Sequence, residues 1–141
     1  MPTTAVSVIL PVFNEADNLE PLAKDVVTAL EEAGRSYEVI FVDDGSTDQS
    51  LAVLKTLQRT HPSVVVIEFR RNFGQTAALA AGLRAADGDI VVTMDADRQN
   101  DPRDIAMLVK EIDQGMDLVC GWRHERKDAL WLRLLPSRVA N

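Results

Sequence analysis

The sequence has one cysteine, Cys120, so no disulfide can form within the chain. Its place in the run Asp117-Leu118-Val119-Cys120-Gly121 is that of a small core residue, and a lone thiol suits a reduced, cytosolic compartment. No stretch approaches the 18 or so consecutive apolar residues of a membrane span. The start, Met1-Pro2-Thr3-Thr4, lacks the basic opening of a secretory signal. With only 7 Gly and 6 Pro, the chain is no collagen-like or low-complexity polymer. Positive charge is also scarce: 15 Lys+Arg face 22 Asp+Glu, a net charge of -7 that argues against a nucleic-acid-binding face. Neither histidine is supported as a metal ligand, since His61 precedes Pro62 at a helix end and His124 lies in a charged loop. No G-x-G-x-x-G follows the first strand and no G-x-x-x-x-G-K-[ST] occurs anywhere, which removes the dinucleotide and P-loop fingerprints.

What is present is enough for one packed domain. In 141 residues, 46% hydrophobic content against 26% charged excludes an intrinsically disordered chain. The charge is unevenly spread. Residues 1–122 hold 10 Lys+Arg against 20 acids, whereas 123–141 hold 5 (Arg123, Arg126, Lys127, Arg133, Arg138) against 2. An acidic core, 1–122, followed by a basic segment, 123–141, is the expected organisation.

Short β-rich runs alternate with helical stretches. Val6–Leu10 reads as a first strand ended by Pro11. The spacing of Leu19, Leu22, Ala23, Val26, Val27 and Leu30 predicts a helix, with Asn14 as N-cap and Gly34 as its stop. Tyr37–Val42 is a second strand, followed by Ser46-Thr47-Asp48-Gln49, which fits a capping box for a helix ending before His61-Pro62. Val64–Ile67, continuing to Phe69, is a third strand, and the Ala-rich stretch Thr76–Ala86 a helix narrow enough to lie close on a sheet. Ile90–Met94 is a fourth strand, Pro102 suits the first turn of a fourth helix, and Asp117–Gly121 is a fifth strand. Apolar strands alternating with helices imply an α/β fold: a mostly parallel, Rossmann-like sheet with helices on both faces. Ligands of such sheets sit outside the carboxyl ends of the strands.

Those ends carry Pro11-Val12-Phe13-Asn14-Glu15, Asp43-Asp44-Gly45-Ser46, Arg70-Arg71-Asn72-Phe73-Gly74, Asp95-Ala96-Asp97-Arg98-Gln99 and Trp122-Arg123. Glu15, Asp43, Asp44, Asp95 and Asp97 are thus delivered to one rim, where they repel unless something positive joins them. A hard divalent cation with oxygen ligands, Mg²⁺ or Mn²⁺, is the natural candidate, keeping open positions for diphosphate oxygens. Each motif alone is ordinary turn or cap chemistry. Their co-location at successive strand ends is what carries weight.

On these residues the chain resembles the inverting family-two glycosyltransferases of GT-A fold, and within them the polyprenyl-phosphate (dolichol-phosphate-like) sugar transferases. The resemblance runs from Val8–Glu15 through Val42–Asp48, Arg70–Gly74 and Met94–Pro102 to Gly121–Arg123 and Leu135–Arg138. It implies a metal-dependent transfer of sugar from a UDP- or GDP-linked donor to an undecaprenyl or dolichyl phosphate. By the same resemblance, Pro11, Val12, Phe13 and Glu15 border the nucleotide, with Ala96 beside it, and Asp44 and Asp43 meet the base. Arg71 and Asn72 shape the pocket; Asp95, Asp97 and Gln99 hold the metal, so that Asp95 and Asp97 are catalytic through it; and Arg123, Arg126 and Arg138 meet acceptor phosphate. The family often has Leu at the position of Arg98 and His-Pro at that of Asn100-Asp101, departures that leave the metal positions intact.

The segment with Leu130, Trp131, Leu134, Leu135 and Val139 interleaved with Arg133 and Arg138 suits an anionic membrane surface, or else packs as a helix on its own domain. The full-length enzyme is then expected at the cytoplasmic face of the membrane. The chain is expected to be a soluble fragment that binds nucleotide and transfers sugar weakly or not at all, with the acceptor-activating residue outside it. Other readings are a family-two transferase with a saccharide acceptor and a catalytically silent nucleotide-binding module. A receiver-like phosphoacceptor domain is disfavoured, because Pro11-Val12-Phe13 and Trp122-Arg123 stand where it needs an acidic pair and a lysine.

Overall fold

The computed structural model describes residues 5–121. Four strands, β1 (Val6–Val12), β2 (Tyr37–Asp43), β3 (Val64–Glu68) and β4 (Ile90–Thr93), alternate with helices α1 (Ala16–Glu32), α2 (Ser50–Thr60), α3 (Gln75–Ala85) and α4 (Asp104–Asp113). The strands form one parallel sheet in the order β3-β2-β1-β4. Alternate side chains of β1 enter two cores. Val6, Val8, Leu10 and Val12 join Val39 and Phe41 under α1, α2 and α4, whereas Ile9 joins Ile40, Val42 and Ala78 under α3. Helices therefore cover both faces, as the apolar strand runs imply.

The chain steps from β1 to β2 to β3 in one direction and then returns to place β4 on the far side of β1. With right-handed crossovers, that reversal puts α3 on the opposite face from α1 and α2. It also leaves a crevice between the carboxyl ends of β1 and β4, the switch point at which such sheets bind ligands. The close seating of α3 depends on Gly82: a β-carbon there would lie 2.4 Å from Ile9 Cγ2.

Several local expectations change. Pro11 lies within β1, opposite Val42, instead of ending it. Its backbone points to the β4 side, as does that of Ile9, whose carbonyl accepts from Met94 N; β4 ends opposite Ile9, so no partner awaits the N–H that proline lacks. Asn14 does not cap α1. It sits in the left-handed region (φ 54°), and its side chain accepts from Thr47 N (2.8 Å) and Asp48 N (3.3 Å) instead. Ser46 likewise opens no helix: α2 starts at Ser50, where Asp48 Oδ1 accepts from Ser50 N at 2.8 Å, and Ser46 Oγ accepts from Asn14 N. The groups of Ser46 that a capping box would use are engaged elsewhere: its Oγ accepts from Asn14 N across the loops and its N–H donates to Asp43 Oδ2. Gly34 does stop α1 in a left-handed conformation (φ 67°).

The expected fifth strand does not form among the described residues. Asp117–Gly121 pairs with no strand, Leu118 is 81% exposed, and Cys120 is exposed rather than a core residue. An apolar, β-rich run reports a face to bury, but a strand also needs a ladder, and among the described residues Asp117–Gly121 forms none with either edge of the sheet.

Candidate functional site

Outside the carboxyl ends of β1 and β4 lies an open cleft of about 380 Å³. It is lined by Pro11, Val12, Phe13 and Glu15 after β1, Asp44 after β2, Asn72, Gly74 and Gln75 at the start of α3, and Asp95, Ala96 and Asp97 after β4. Nine of the residues singled out in the sequence therefore share one cleft. Asp43 and Arg71 do not line it. Gln99 instead borders a second recess with Leu22, Asp25, Arg98, Asn100, Asp101 and Pro102. Arg123, Arg126 and Arg138 lie outside the described residues.

The loops around the cleft are tied by side chains that satisfy backbone N–H groups. Ser50 Oγ accepts from Glu15 N at 2.9 Å, and Asn18 Nδ2 donates to Glu15 Oε2 at 2.6 Å. Asp44, 4% exposed, accepts from Phe73 N (2.7 Å) through Oδ1 and from Gly74 N (3.1 Å) through Oδ2. Charge-assisted bonds of this kind are the stronger class, so Asp44 clamps the β3–α3 loop onto the end of β2. The two loops approach so closely that a β-carbon on Gly45 would lie 2.3 Å from the Arg71 carbonyl carbon. Asp43, 1% exposed, accepts from Ser46 N through Oδ2, while its Oδ1 has no hydrogen-bond partner. Arg71 is taken up by an aromatic: its guanidinium lies 4.2 Å from the Phe73 ring centre, and Phe73 meets Phe69 edge to face. Asp48 is held below the ordinary carboxylate range, first by its Ser50 side-chain hydrogen bond and further by N–H groups of Ser50 and Ala16.

Asp95 and Asp97 differ from these clamped acids. Both are exposed and line the cleft, separated by buried Ala96. Asp97 Oδ1 accepts from Gln99 N at 3.0 Å, a bond permitted by the left-handed turn at Arg98 (φ 63°). That turn sends the Arg98 side chain toward Asp25 of α1, at 3.5 Å. Asp95 Oδ1 accepts from Gln75 Nε2 at 3.0 Å. The sequence reading missed Gln75 and the lining role of Gly74; the signal available was that Gly74 ends the third strand-end loop and Gln75 follows it directly.

Among the described residues, no three His, Cys, Asp or Glu side chains gather closely enough to hold a metal by themselves. Two carboxylates on one open cleft fit a cation that keeps most of its positions for water and ligand phosphate, as Mg²⁺ and similar hard ions do. They do not fit a closed structural site.

Comparison with known proteins follows the same lines. The sequence profile described as glycosyl transferase family 2 matches residues 7–139. The chain is 44% identical over 138 residues to a dodecaprenyl-phosphate galacturonate synthase of Rhizobium johnstonii, covering 96% of this chain and 41% of that protein. It is 43% identical over 141 residues to an undecaprenyl-phosphate 4-deoxy-4-formamido-L-arabinose transferase of Pseudomonas aeruginosa, covering 99% and 41%. The chain thus spans about two-fifths of the length of these relatives. Among solved structures, the mannosyltransferase PcManGT of Pyrobaculum calidifontis, in complex with GDP-Man and Mn²⁺, superposes with a TM-score of 0.61 at 34% identity, covering 77% of this chain and 32% of that one. Glucosyl-3-phosphoglycerate synthase of Mycobacterium tuberculosis, in complex with Mn²⁺, UDP and phosphoglyceric acid, gives 0.63 at 26% identity, covering 77% and 39%.

Proposed function

The chain belongs to glycosyl transferase family 2 and has the GT-A fold of its solved relatives, and from that premise we propose that it is the donor-binding part of an inverting polyprenyl-phosphate sugar transferase. The observation that carries the proposal is the convergence of exposed Asp95 and Asp97 with the loops after β1 and β2 on one cleft at the switch point of the sheet. Relatives named as transferases onto dodecaprenyl or undecaprenyl phosphate support the acceptor class, and neighbours solved with GDP-Man or UDP and Mn²⁺ support the donor and cation.

In this reading the nucleotide lies along Pro11, Val12 and Phe13 with its diphosphate toward Asp95 and Asp97. Glu15, Asn72 and Ala96 complete the walls. Of the two acids assigned to the base, Asp44 lines the cleft while both its oxygens hold loop amides, and Asp43, whose Oδ1 is unpartnered, is buried behind it. Arg71 shapes the pocket through Phe73 and its loop. Asp95 and Asp97 would hold a divalent cation, which when bound would supply positive charge to the leaving diphosphate; Gln99, the third proposed ligand, borders the neighbouring recess and would have to turn toward them. Transfer forms a bond from an acceptor phosphate oxygen to the anomeric carbon and breaks the bond from that carbon to the β-phosphate oxygen. The electron pair departs with the nucleoside diphosphate. An anionic phosphate is already a nucleophile near neutral pH, so positioning contributes more than proton removal. Arg123, Arg126 and Arg138 are proposed to meet the acceptor phosphate, and the lipid places the full-length enzyme at an anionic membrane surface, on its cytoplasmic face. Among the described residues no helix is long and apolar enough to cross a membrane.

The test is calorimetry of the 141-residue chain with UDP, GDP and their sugars, in Mn²⁺, Mg²⁺ or chelator, repeated on Asp97→Ala. One nucleotide should bind with cation and lose at least about tenfold in affinity on chelation or substitution, a difference of about 1.4 kcal/mol. Equal affinity in chelator and in Asp97→Ala, or no binding in any condition, would refute the reading.

A further inference from the structure

We propose that Gln75 is a positioning residue for the cation site, holding Asp95 in its ligating orientation; the inference rests on the donor-site reading above. Gln75 is the first residue of α3 and donates from Nε2 to Asp95 Oδ1 at 3.0 Å, and both residues line the cleft. Its placement is built from two further elements. Gly74, just ahead of it, adopts φ 99°, a conformation that favours glycine, and the Phe73 and Gly74 amides are fixed by the buried Asp44 carboxylate. A chain of hydrogen bonds therefore runs from the end of β2, through the β3–α3 loop, to the end of β4.

The chemistry of the side chain matters as much as its reach. A carboxamide is a neutral donor: it fixes the rotation of a carboxylate without neutralising the charge that a cation needs. Lysine or arginine at this position would satisfy Asp95 by occupying the place of the cation. Groups that orient metal ligands in this way typically change metal affinity by about 10–100-fold when removed. Gln75 also keeps its Oε1 as an acceptor, available to water on the cation.

The experiment is titration of Mn²⁺ into the chain at saturating UDP or GDP, whichever binds, followed by the loss of the free-ion paramagnetic signal. It is run on wild type, Gln75→Ala, Gln75→Lys and Asp97→Ala. Gln75→Ala should weaken Mn²⁺ about tenfold, and Gln75→Lys more, since it adds a competing charge. The melting temperature of metal-free Gln75→Ala should stay within about 2 °C of wild type, because Gln75 is exposed and its side chain bonds to Asp95 across the cleft. If Asp97→Ala abolishes Mn²⁺ binding while both Gln75 variants bind within twofold of wild type, the inference fails and the donor-site reading stands. If Asp97→Ala also binds normally, both fail. Loss of metal-free stability and of chelator-insensitive nucleotide binding in both Gln75 variants would make the role structural and overturn the inference as well.

Discussion

Gly45 and Gly34 provide a controlled pair for the claim that the β2 and β3 loops are packed backbone against backbone. Both are left-handed, at φ 70° and φ 67°. A β-carbon on Gly34 meets nothing within 4 Å, whereas one on Gly45 falls 2.3 Å from the Arg71 carbonyl carbon and 2.4 Å from Asn72 N. Alanine at either site incurs the left-handed penalty of about 1–2 kcal/mol. The gain from a less flexible unfolded chain is the same in both and cancels in the difference. Only Gly45→Ala adds overpacking, which costs about 1–3 kcal/mol and belongs at the upper end here, because main-chain atoms cannot rotate out of the way. The expected destabilisations are therefore about 1–2 kcal/mol for Gly34→Ala and about 3–5 kcal/mol for Gly45→Ala.

Urea unfolding of the two variants measures the difference directly, with unchanged slope expected for both. At roughly 4 °C per kcal/mol for a chain this size, melting points should fall by about 4–8 °C and about 12–20 °C. Equal losses in the two variants would mean that the loops are not in backbone contact, and the route by which Asp44 fixes Gly74 and Gln75 would lose its basis.

Gly82→Ala should destabilise by about 1–2 kcal/mol in chemical unfolding, because the clash with the stiff, fully buried Ile9 outweighs the helix-propensity gain of about 1 kcal/mol. In an Ile9→Ala background, which removes the obstructing methyl, the same change should become neutral or stabilising; additive effects would contradict the packing account. Asp48→Asn tests linkage: the folded carboxyl is depressed by its Ser50 and Ala16 hydrogen bonds, so its contribution is fully present above the unfolded value near 4 and is lost as pH falls through the lower folded value. The gap in unfolding midpoint between wild type and Asp48→Asn should hold from pH 7 to about 5 and close below about 4, and a gap that widens on acidification would reverse the sign of the argument.

The fold was legible because burial writes itself into sequence period. The stripe from Leu19 to Leu30 and the apolar runs of β1 and β2 bury most of the residues that the pattern marks, the edge strands β3 and β4 bury theirs only in part, and eight elements appear within a few residues of their expected bounds. What stayed hidden depends on partners rather than on pattern. Ser46 and Gln49 satisfy the capping-box spacing, but Asn14, from a loop far away in sequence, engages Ser46 Oγ and Thr47 N, and Asp48 accepts locally from Ser50 N. Asp117–Gly121 has the composition of a strand but pairs with neither edge of the described sheet. Gln75 carries no motif of its own, and only the folded arrangement shows that helix α3 begins beside Asp95.

The electrostatic argument for a cation also changes form once the rim is resolved. Five acids at one edge suggested a shared repulsion needing one positive partner, yet the structure divides them. Asp44 gives both oxygens to loop amides, Asp43 gives one to Ser46 N, and Glu15 gives one to Asn18, so these three are held by neutral donors without any metal. Asp95 and Asp97 line the cleft from an exposed loop, two residues apart, each accepting a neutral bond, from Gln75 Nε2 and Gln99 N respectively. Repulsion between two exposed carboxylates is weak in water, and it does not demand a cation. The case for this pair as the proposed cation site is that the clamped acids join the loops, while Asp95 and Asp97 stay exposed on the cleft.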